Sequence, residues 1–291
     1  MGGYGWGVVS KTDLLEAVAK AMEIGVNFFD SADIYGLGEA ERTLGEALKH
    51  HRQKAVIATK FGVRREKGET FYDNSPPWIN RAVEQSLKRL GTDYIDLYQV
   101  HYRDRKTPIA DVVENLDRLR DRGLIRYYGL SNVHTADMEE LSKYQGKFVS
   151  FQNEYSLACR KNEKDMLALS KVLELTPLTW GSLGQGILTG KYNRDVKFES
   201  DDRRSKAIYT NFHGKKLLKN LQVVDEMRKI AGEINMPVAA IAIRWILDYI
   251  PQSVVIAGIK NISQLMSNKE ALGWKLARKY IEKLQEVSQD A

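Results

Sequence analysis

Four side chains in this sequence could pass a proton among themselves: Asp30, Tyr35, Lys60 and His101. Asp30 closes the apolar run Asn27-Phe28-Phe29, Lys60 closes Val56-Ile57-Ala58-Thr59, and His101 closes the run from Ile95 to Val100; Tyr35 follows Asp30 across a short loop. An acid, a phenol, an amine and an imidazole make a coherent general acid–base set. A phenol with a pKa of about 10 is a weak acid at neutral pH. An ammonium such as Lys60 beside it would favour the phenolate and lower that value. Asp30 would hold Lys60 charged and oriented, and His101 could hydrogen-bond a substrate oxygen. Such a set delivers a proton to a developing alkoxide, which is half of a carbonyl reduction. The other half is a hydride, which no side chain supplies, so a cofactor is implied. Each residue alone has a plainer reading: a lysine at a strand end snorkels to the surface, an aspartate before a loop caps the next helix, and lone tyrosines and histidines are common in loops and cores. Their joint occurrence points to chemistry, because the C-terminal ends of parallel strands are where a barrel gathers its functional side chains.

The elements that must position these residues follow from hydrophobic periodicity. It predicts helices over 12–24, 39–50, 76–90, 110–122, 135–144, 163–173, 215–234 and 238–249, and strands over 27–30, 56–60, 95–101, 127–132, 148–152, 177–181 and 253–258. Ser75-Pro76 offers a capping side chain and then proline where no amide donor is needed. Gly91 and Gly123 stand where helices should stop. Alternating helix and strand argues for a parallel sheet covered by helices. With 291 residues the chain fits one large α/β barrel or two ordinary domains. No Pro/Gly/Ser-rich linker interrupts it, so one domain over 1–291 is expected, with a C-terminal helix at about 273–290 packed outside the barrel. The irregular stretch 188–214 is too polar for a core element, and loops of that length are usually functional lids. Only seven strands can be counted, and the glycine-rich segment 1–9 makes a poor eighth.

Composition narrows the function classes. The apolar fraction of 43% suffices for a sizeable core. No apolar run reaches the ~20 residues of a membrane span, and Met1-Gly2-Gly3-Tyr4-Gly5 lacks the pattern of a signal peptide. Cys159 is the single cysteine, which excludes an internal disulfide and suits a reducing cytoplasm; as a thiol with no evident base it reads as a packing residue. The net charge of +6 is spread among mixed helical faces such as Asp117-Arg118-Leu119-Arg120-Asp121-Arg122, which argues against a nucleic-acid groove and against a membrane partner. A modest positive balance favours an anionic ligand such as a phosphorylated cofactor.

Five ordered blocks carry a resemblance to a known family. Gly25-Val26-Asn27-Phe28-Phe29-Asp30-Ser31-Ala32-Asp33-Ile34-Tyr35-Gly36 and Leu90-Gly91-Thr92-Asp93-Tyr94-Ile95-Asp96-Leu97-Tyr98-Gln99-Val100-His101 are the longest. Gly129-Leu130-Ser131-Asn132, Gln152-Asn153-Glu154-Tyr155 and Gly186-Ile187-Leu188-Thr189-Gly190-Lys191-Tyr192 follow in order. Together they resemble the aldo-keto reductase superfamily, from about residue 10 to residue 272. The resemblance implies a (β/α)8 TIM barrel that uses NADPH or NADH without a metal to reduce an aldehyde or ketone reversibly. By it, Tyr35 is the proton donor, Asp30 and Lys60 tune it, and His101 orients the carbonyl.

The cofactor residues implied are Ser131, Asn132 and Gln152 for the carboxamide, Trp180 stacked on the nicotinamide, and the backbone of Gly181, Ser182, Leu183, Gly184 and Gln185 along the pyrophosphate. Lys191 could add charge. Gly258, Lys260, Gln264 and Asn268 resemble the adenosine-phosphate site, with a helix N-terminus near Ile262 aimed at a phosphate. Lys260 as a point charge favours NADPH over NADH, with Arg203 and Arg204 as possible partners. Tyr72, Trp78, Tyr102 and Phe212 are candidate pocket walls for a small carbonyl substrate. The family's N-terminal hairpin and first barrel strand have no counterpart here, so a barrel lacking that strand is expected. A rival reading is a catalytically weak, cofactor-binding regulatory subunit resembling potassium-channel β subunits; those depart at the histidine position, whereas His101 is retained here. The sequence names neither the physiological substrate nor the oligomeric state.

Overall fold

A computed structural model describes residues 5–289 of the chain. Its helices are α1 (Lys11–Glu23), α2 (Glu39–Leu48), α3 (Pro76–Leu90), α4 (Ile109–Asp121), α5 (Met138–Ser142), α6 (Glu163–Leu173), α7 (Gly214–Ile234), α8 (Val238–Tyr249), α9 (Ile262–Lys269) and α10 (Arg278–Val287). Its strands are β1 (Phe28–Asp30), β2 (Val56–Phe61), β3 (Val63–Glu66), β4 (Glu69–Tyr72), β5 (Ile95–Val100), β6 (Ile125–Ser131), β7 (Ser150–Glu154), β8 (Thr176–Trp180) and β9 (Val254–Val255). Strands β3 and β4 form an antiparallel hairpin. The other seven make one parallel sheet in the order β1-β2-β5-β6-β7-β8-β9, each strand pairing with the next in sequence. Helices lie between successive strands of this sheet, and α1 packs against α9, which brings the ends of the helical ring together. The fold is therefore a (β/α)8-like barrel. Among the described residues the sheet has seven strands, and no ladder joins β1 to β9. Residues 1–4 lie outside the described residues, and the stretch 5–9 is turn and coil without a strand.

The period-2 alternation of the strands builds the interior in layers. Ala58, Leu97 and Leu178 pack together inside the barrel with Phe28, Val254 and Ile256. Two residues further along β1, β2 and β5 the inward positions are Asp30, Lys60 and Gln99, and Gln152 of β7 joins them. An apolar floor thus supports a polar layer at the C-terminal rim. The alternate side chains, such as Ile57, Phe61 and Tyr98, belong to the larger core between sheet and helices.

Several expectations are corrected in detail. The hairpin β3–β4 was not foreseen, because most of its residues face solvent and carry no apolar alternation. The oxygen of Ser75 makes no cap to α3; the amide of Ser75 instead donates to Asp73 Oδ1 at 3.0 Å. The expected strand 253–258 shrinks to Val254–Val255, and the expected helix 135–144 becomes a tight turn, Thr135–Asp137, followed by α5. Gly91 does end α3, in the left-handed conformation (φ 62°) that a side chain would resist. At the C-terminus α10 is tied to α7 by Tyr280 Oη donating to Glu233 Oε2 at 2.6 Å. No single described helix is long and apolar enough to cross a membrane; α7 and α8 meet that criterion only as a pair bent by 96°.

Candidate active site

The polar layer brings the sequence-predicted tetrad together. Lys60 Nζ donates to Asp30 Oδ2 at 2.6 Å and to the Ser31 carbonyl at 2.8 Å. Only 1% of the Lys60 side chain and 7% of the Asp30 side chain are exposed, so this is a buried ion pair whose loss of one partner would strand a charge. Gln152 Nε2 donates to Asp30 Oδ1 at 2.8 Å, which fixes the carboxylate from the other side. The turn after β1 returns Tyr35 over Lys60, whose ammonium stands 5.3 Å from the ring centroid. His101, one residue past β5, meets Tyr35 edge to face with centroids 5.8 Å apart. Its backbone amide donates to the Phe61 carbonyl and its carbonyl accepts from Asn132 Nδ2, so the ring is held from both sides of the peptide.

Burial sets the proton affinities. It pushes the Lys60 ammonium down, but the Asp30 charge, Tyr35 and the Asp30 hydrogen bond together outweigh it, and Lys60 is held above the ordinary lysine value. Burial pushes the Tyr35 phenol up; Lys60 pulls the other way without overcoming it, so the net shift is upward. This corrects the expectation that Lys60 would leave Tyr35 a stronger acid than free tyrosine: desolvation of a phenolate costs more here than one paired ammonium returns. Burial, then the Lys60 charge, depresses His101 well below the usual imidazole range and keeps it neutral. Its Nδ1 is buried without a protein partner, as suits a group that waits for a ligand oxygen.

A cavity of about 1330 Å³ opens above this layer and runs from Tyr35 and His101 past Trp180 to α9. Ser131, Asn132, Gln152, Trp180, Gly181, Ser182, Leu183 and Gln185 line its inner part. Lys191, Gly258, Lys260, Gln264 and Asn268 line the far end. Asn261 caps α9 by accepting from the Gln264 amide at 3.0 Å, and Asn268 Nδ2 is buried with no partner, so the far end offers a helix N-terminus and an unused donor. These residues fit an elongated phosphorylated cofactor. Gly184 is the exception: a Cβ there would stand 2.8 Å from Ile187 and 2.9 Å from Ala158, so it serves packing and not the groove wall.

A family model for the aldo/keto reductase family matches residues 1–289. The chain belongs to the aldo/keto reductase family. Curated relatives of this aldo/keto reductase include YhdN of Bacillus subtilis, 33% identical over 279 residues (95% of this chain, 83% of the relative). The reductase yakc [NADP(+)] of Schizosaccharomyces pombe is 32% identical, with 93% of this chain and 81% of the relative covered. A probable voltage-gated potassium channel subunit beta of rice is 31% identical, with 92% and 86% covered. Among solved structures, the glycerol dehydrogenase AKR11B4 from Gluconobacter oxydans superposes with a TM-score of 0.87 at 33% identity, covering 98% of this chain and 88% of that one.

Some residues of the reductase lie where sequence reasoning did not put them. Of the proposed pocket walls, Tyr102 lines the cavity and stacks on both His101 and Tyr72; Trp78 packs under the Arg64 guanidinium, and Phe212 is buried with Tyr192 and Phe198. Trp6 was not singled out, yet it lines the groove, and its carbonyl accepts from Lys260 and from Arg204. A second carboxyl cluster was also missed: Glu41, fully buried, accepts from Thr59 Oγ1 and Arg89 Nε at 2.6 Å each. Beside it, Asp33 is pushed up to about 8 by burial and then by the Glu41 charge. Nothing in the local sequence pattern marks these contacts, which join distant segments. Cys159 borders the groove, but burial raises its thiol to about 11, so it offers little thiolate at neutral pH.

Proposed function

We propose that this aldo/keto reductase reduces an aldehyde or ketone to an alcohol, reversibly, with NADPH preferred to NADH. The observation that carries the reading is the buried Lys60–Asp30 pair placed under Tyr35 and beside a neutral His101. Ser131, Asn132, Gln152 and Trp180 would hold the nicotinamide end of the cofactor, and Lys260, Gln264 and Asn268 the adenosine-phosphate end. The dinucleotide, when bound, supplies the hydride. Tyr35 keeps its proton through neutral pH and gives it to the carbonyl oxygen as negative charge develops there. Lys60 stabilises the phenolate left behind, and Asp30 keeps Lys60 in place with a charge that Gln152 fixes. His101, neutral and with no protein partner at Nδ1, orients the carbonyl. Lys260 and Arg204 both donate to the Trp6 carbonyl, and Arg204 is also paired with Asp202; the Lys260 ammonium near the N-terminus of α9 is the charge that supports a phosphate site there and hence NADPH.

The decisive experiment is Tyr35→Phe with NADPH and a generic aldehyde such as nitrobenzaldehyde. A general acid contributes about 10²–10⁴-fold. We expect a loss of at least about a hundredfold in turnover, with NADPH binding nearly intact; undiminished turnover would sink the assignment. The relation to a channel subunit favours a second reading, a cofactor-binding regulatory protein of weak activity. Tight NADPH binding without oxidation in the unaltered protein would favour it, whereas the retained His101 supports the enzyme. The finer reading of the fold, a barrel running without a first strand, is supported by the lack of a ladder between β1 and β9 among the described residues and by a groove that both Phe28 and Val254 line.

A further inference from the structure

A side chamber of about 380 Å³ branches from the groove beside the proposed reaction centre. It shares Tyr102, Asn132, Glu154, Lys161 and Trp180 with the main cavity and continues outward between the loops that follow β5, β6 and β7. Tyr102 stacks on His101 with ring centroids 5.1 Å apart, so the chamber begins one ring away from the imidazole. Three cations line it, Arg103, Arg105 and Lys161, against one carboxylate, Glu154. The acids that pair with the arginines, Glu140 and Asp137, are not among its lining residues. Arg103 makes a two-pronged contact with Glu140 at 2.7 and 3.1 Å, and both arginines bond Asp137, which is only 2% exposed and does not line the chamber. Glu154 is partly engaged, by Gln185 at 3.3 Å and by Lys161 at 3.5 Å. Lys161 itself is 69% exposed, so its ammonium is free to turn towards a new partner.

The volume suits the distal part of a small substrate and not a second cofactor. Its lining carries three cations and one carboxylate, and Lys161 and Arg105, with side chains 69% and 57% exposed, are the charges a ligand there can reach. Resting on the reductase reading above, we infer that the preferred substrates are carbonyl compounds carrying an anionic group, a carboxylate or a phosphate, separated from the carbonyl by an aryl ring or a short chain. The carbonyl sits at Tyr35 and His101, the spacer passes between Tyr102 and Trp180, and the anion meets Lys161 and Arg105. Both cations are partly solvated, so the selectivity is moderate and falls as salt screens it.

The test compares 4-carboxybenzaldehyde with benzaldehyde, which differ in the distal charge while sharing the aldehyde and ring. With NADPH, the ratio of kcat/KM should favour the carboxylate by about tenfold at low ionic strength, the ~1.4 kcal/mol that a partly exposed pair of cations can supply. That preference should shrink as salt is added. Lys161→Glu should lower the ratio by about tenfold or more, with the loss appearing in KM, and Lys161→Arg should restore it. Equal efficiency with both aldehydes, a ratio indifferent to salt, or one unmoved by Lys161→Glu would overturn the inference while leaving the reductase reading standing. Oxidation of NADPH with neither aldehyde would instead remove the reductase reading, and this inference with it.

Discussion

At the scale of single residues, two titrations separate this site from a generic cluster of polar groups. Tyr35 is held above the ordinary phenol value by burial, against the pull of Lys60. Carbonyl reduction needs the protonated phenol, so its rate should stay flat through neutrality and fall only above about pH 10. Alcohol oxidation needs the phenolate and should climb over the same alkaline range. Because His101 stays neutral, neither profile should show an inflection near the imidazole value of about 6.5. Steady-state rates in both directions across pH would show this; a reductive limb with an inflection near 6.5 would contradict it. Asp33 adds a stability effect. Its pKa rises on folding from the carboxylate range to about 8, so the folded protein binds more protons than the unfolded chain between those values. The sign follows: this contribution is complete below about pH 4 and is lost as pH rises through about 8. Thermal melting of Asp33→Asn should accordingly show a weaker fall in midpoint between pH 5 and 8 than the unaltered protein.

At the scale of elements, buried charges and close backbone approaches hold the loops that carry the site. Arg89 of α3 reaches Glu41 of α2, which is fully buried and which also takes the hydroxyl of Thr59 from β2. Removing one member of a buried pair leaves the other uncompensated, a cost of about 3–5 kcal/mol. Arg89→Met should lower stability by that order in denaturant titration, more than the same change at the exposed Arg118. The two helices also touch at Gly45, where a Cβ would stand 2.3 Å from the Leu90 carbonyl oxygen. Gly45→Val must push α2 from α3, and overpacking of that kind costs about 1–3 kcal/mol. Since the turn carrying Tyr35 leads directly into α2, turnover should fall along with the melting midpoint. The strands were legible as elements because each core run is short, apolar and bounded by polar residues. The hairpin β3–β4 was not, because an exposed pair of short strands leaves no apolar alternation to read.

For the whole molecule, the groove joins segments from Trp6 to Leu272, so a ligand that fills it links distant parts of the chain. A ligand binding only the folded form stabilises it by about 2.7 kcal/mol at a hundred times its dissociation constant. Saturating NADPH should therefore raise the melting midpoint by several degrees, and NADH by less at equal concentration. Lys260→Ala should narrow that difference between the two cofactors; an unchanged difference would argue that Lys260 does not read the phosphate. Among the described residues no ladder joins β1 to β9, and Phe28 of β1 and Val254 of β9 both line the groove.

What the sequence determined by itself was the local chemistry: the tetrad residues at the ends of apolar runs, the alternation that makes a parallel sheet under helices, and the ordered blocks that resemble the aldo-keto reductase family. These are properties of short segments, written in spacing and residue type. The tertiary structure alone decided the balance of energies between segments. It set burial against the Lys60 charge and left Tyr35 a weaker acid than expected, turned Gly184 away from the groove and placed Trp6 over Lys260. It also gathered Arg103 and Arg105 of one loop and Lys161 of another around one chamber. Desolvation and through-space charge depend on which distant residues become neighbours, and spacing along a chain carries no record of that.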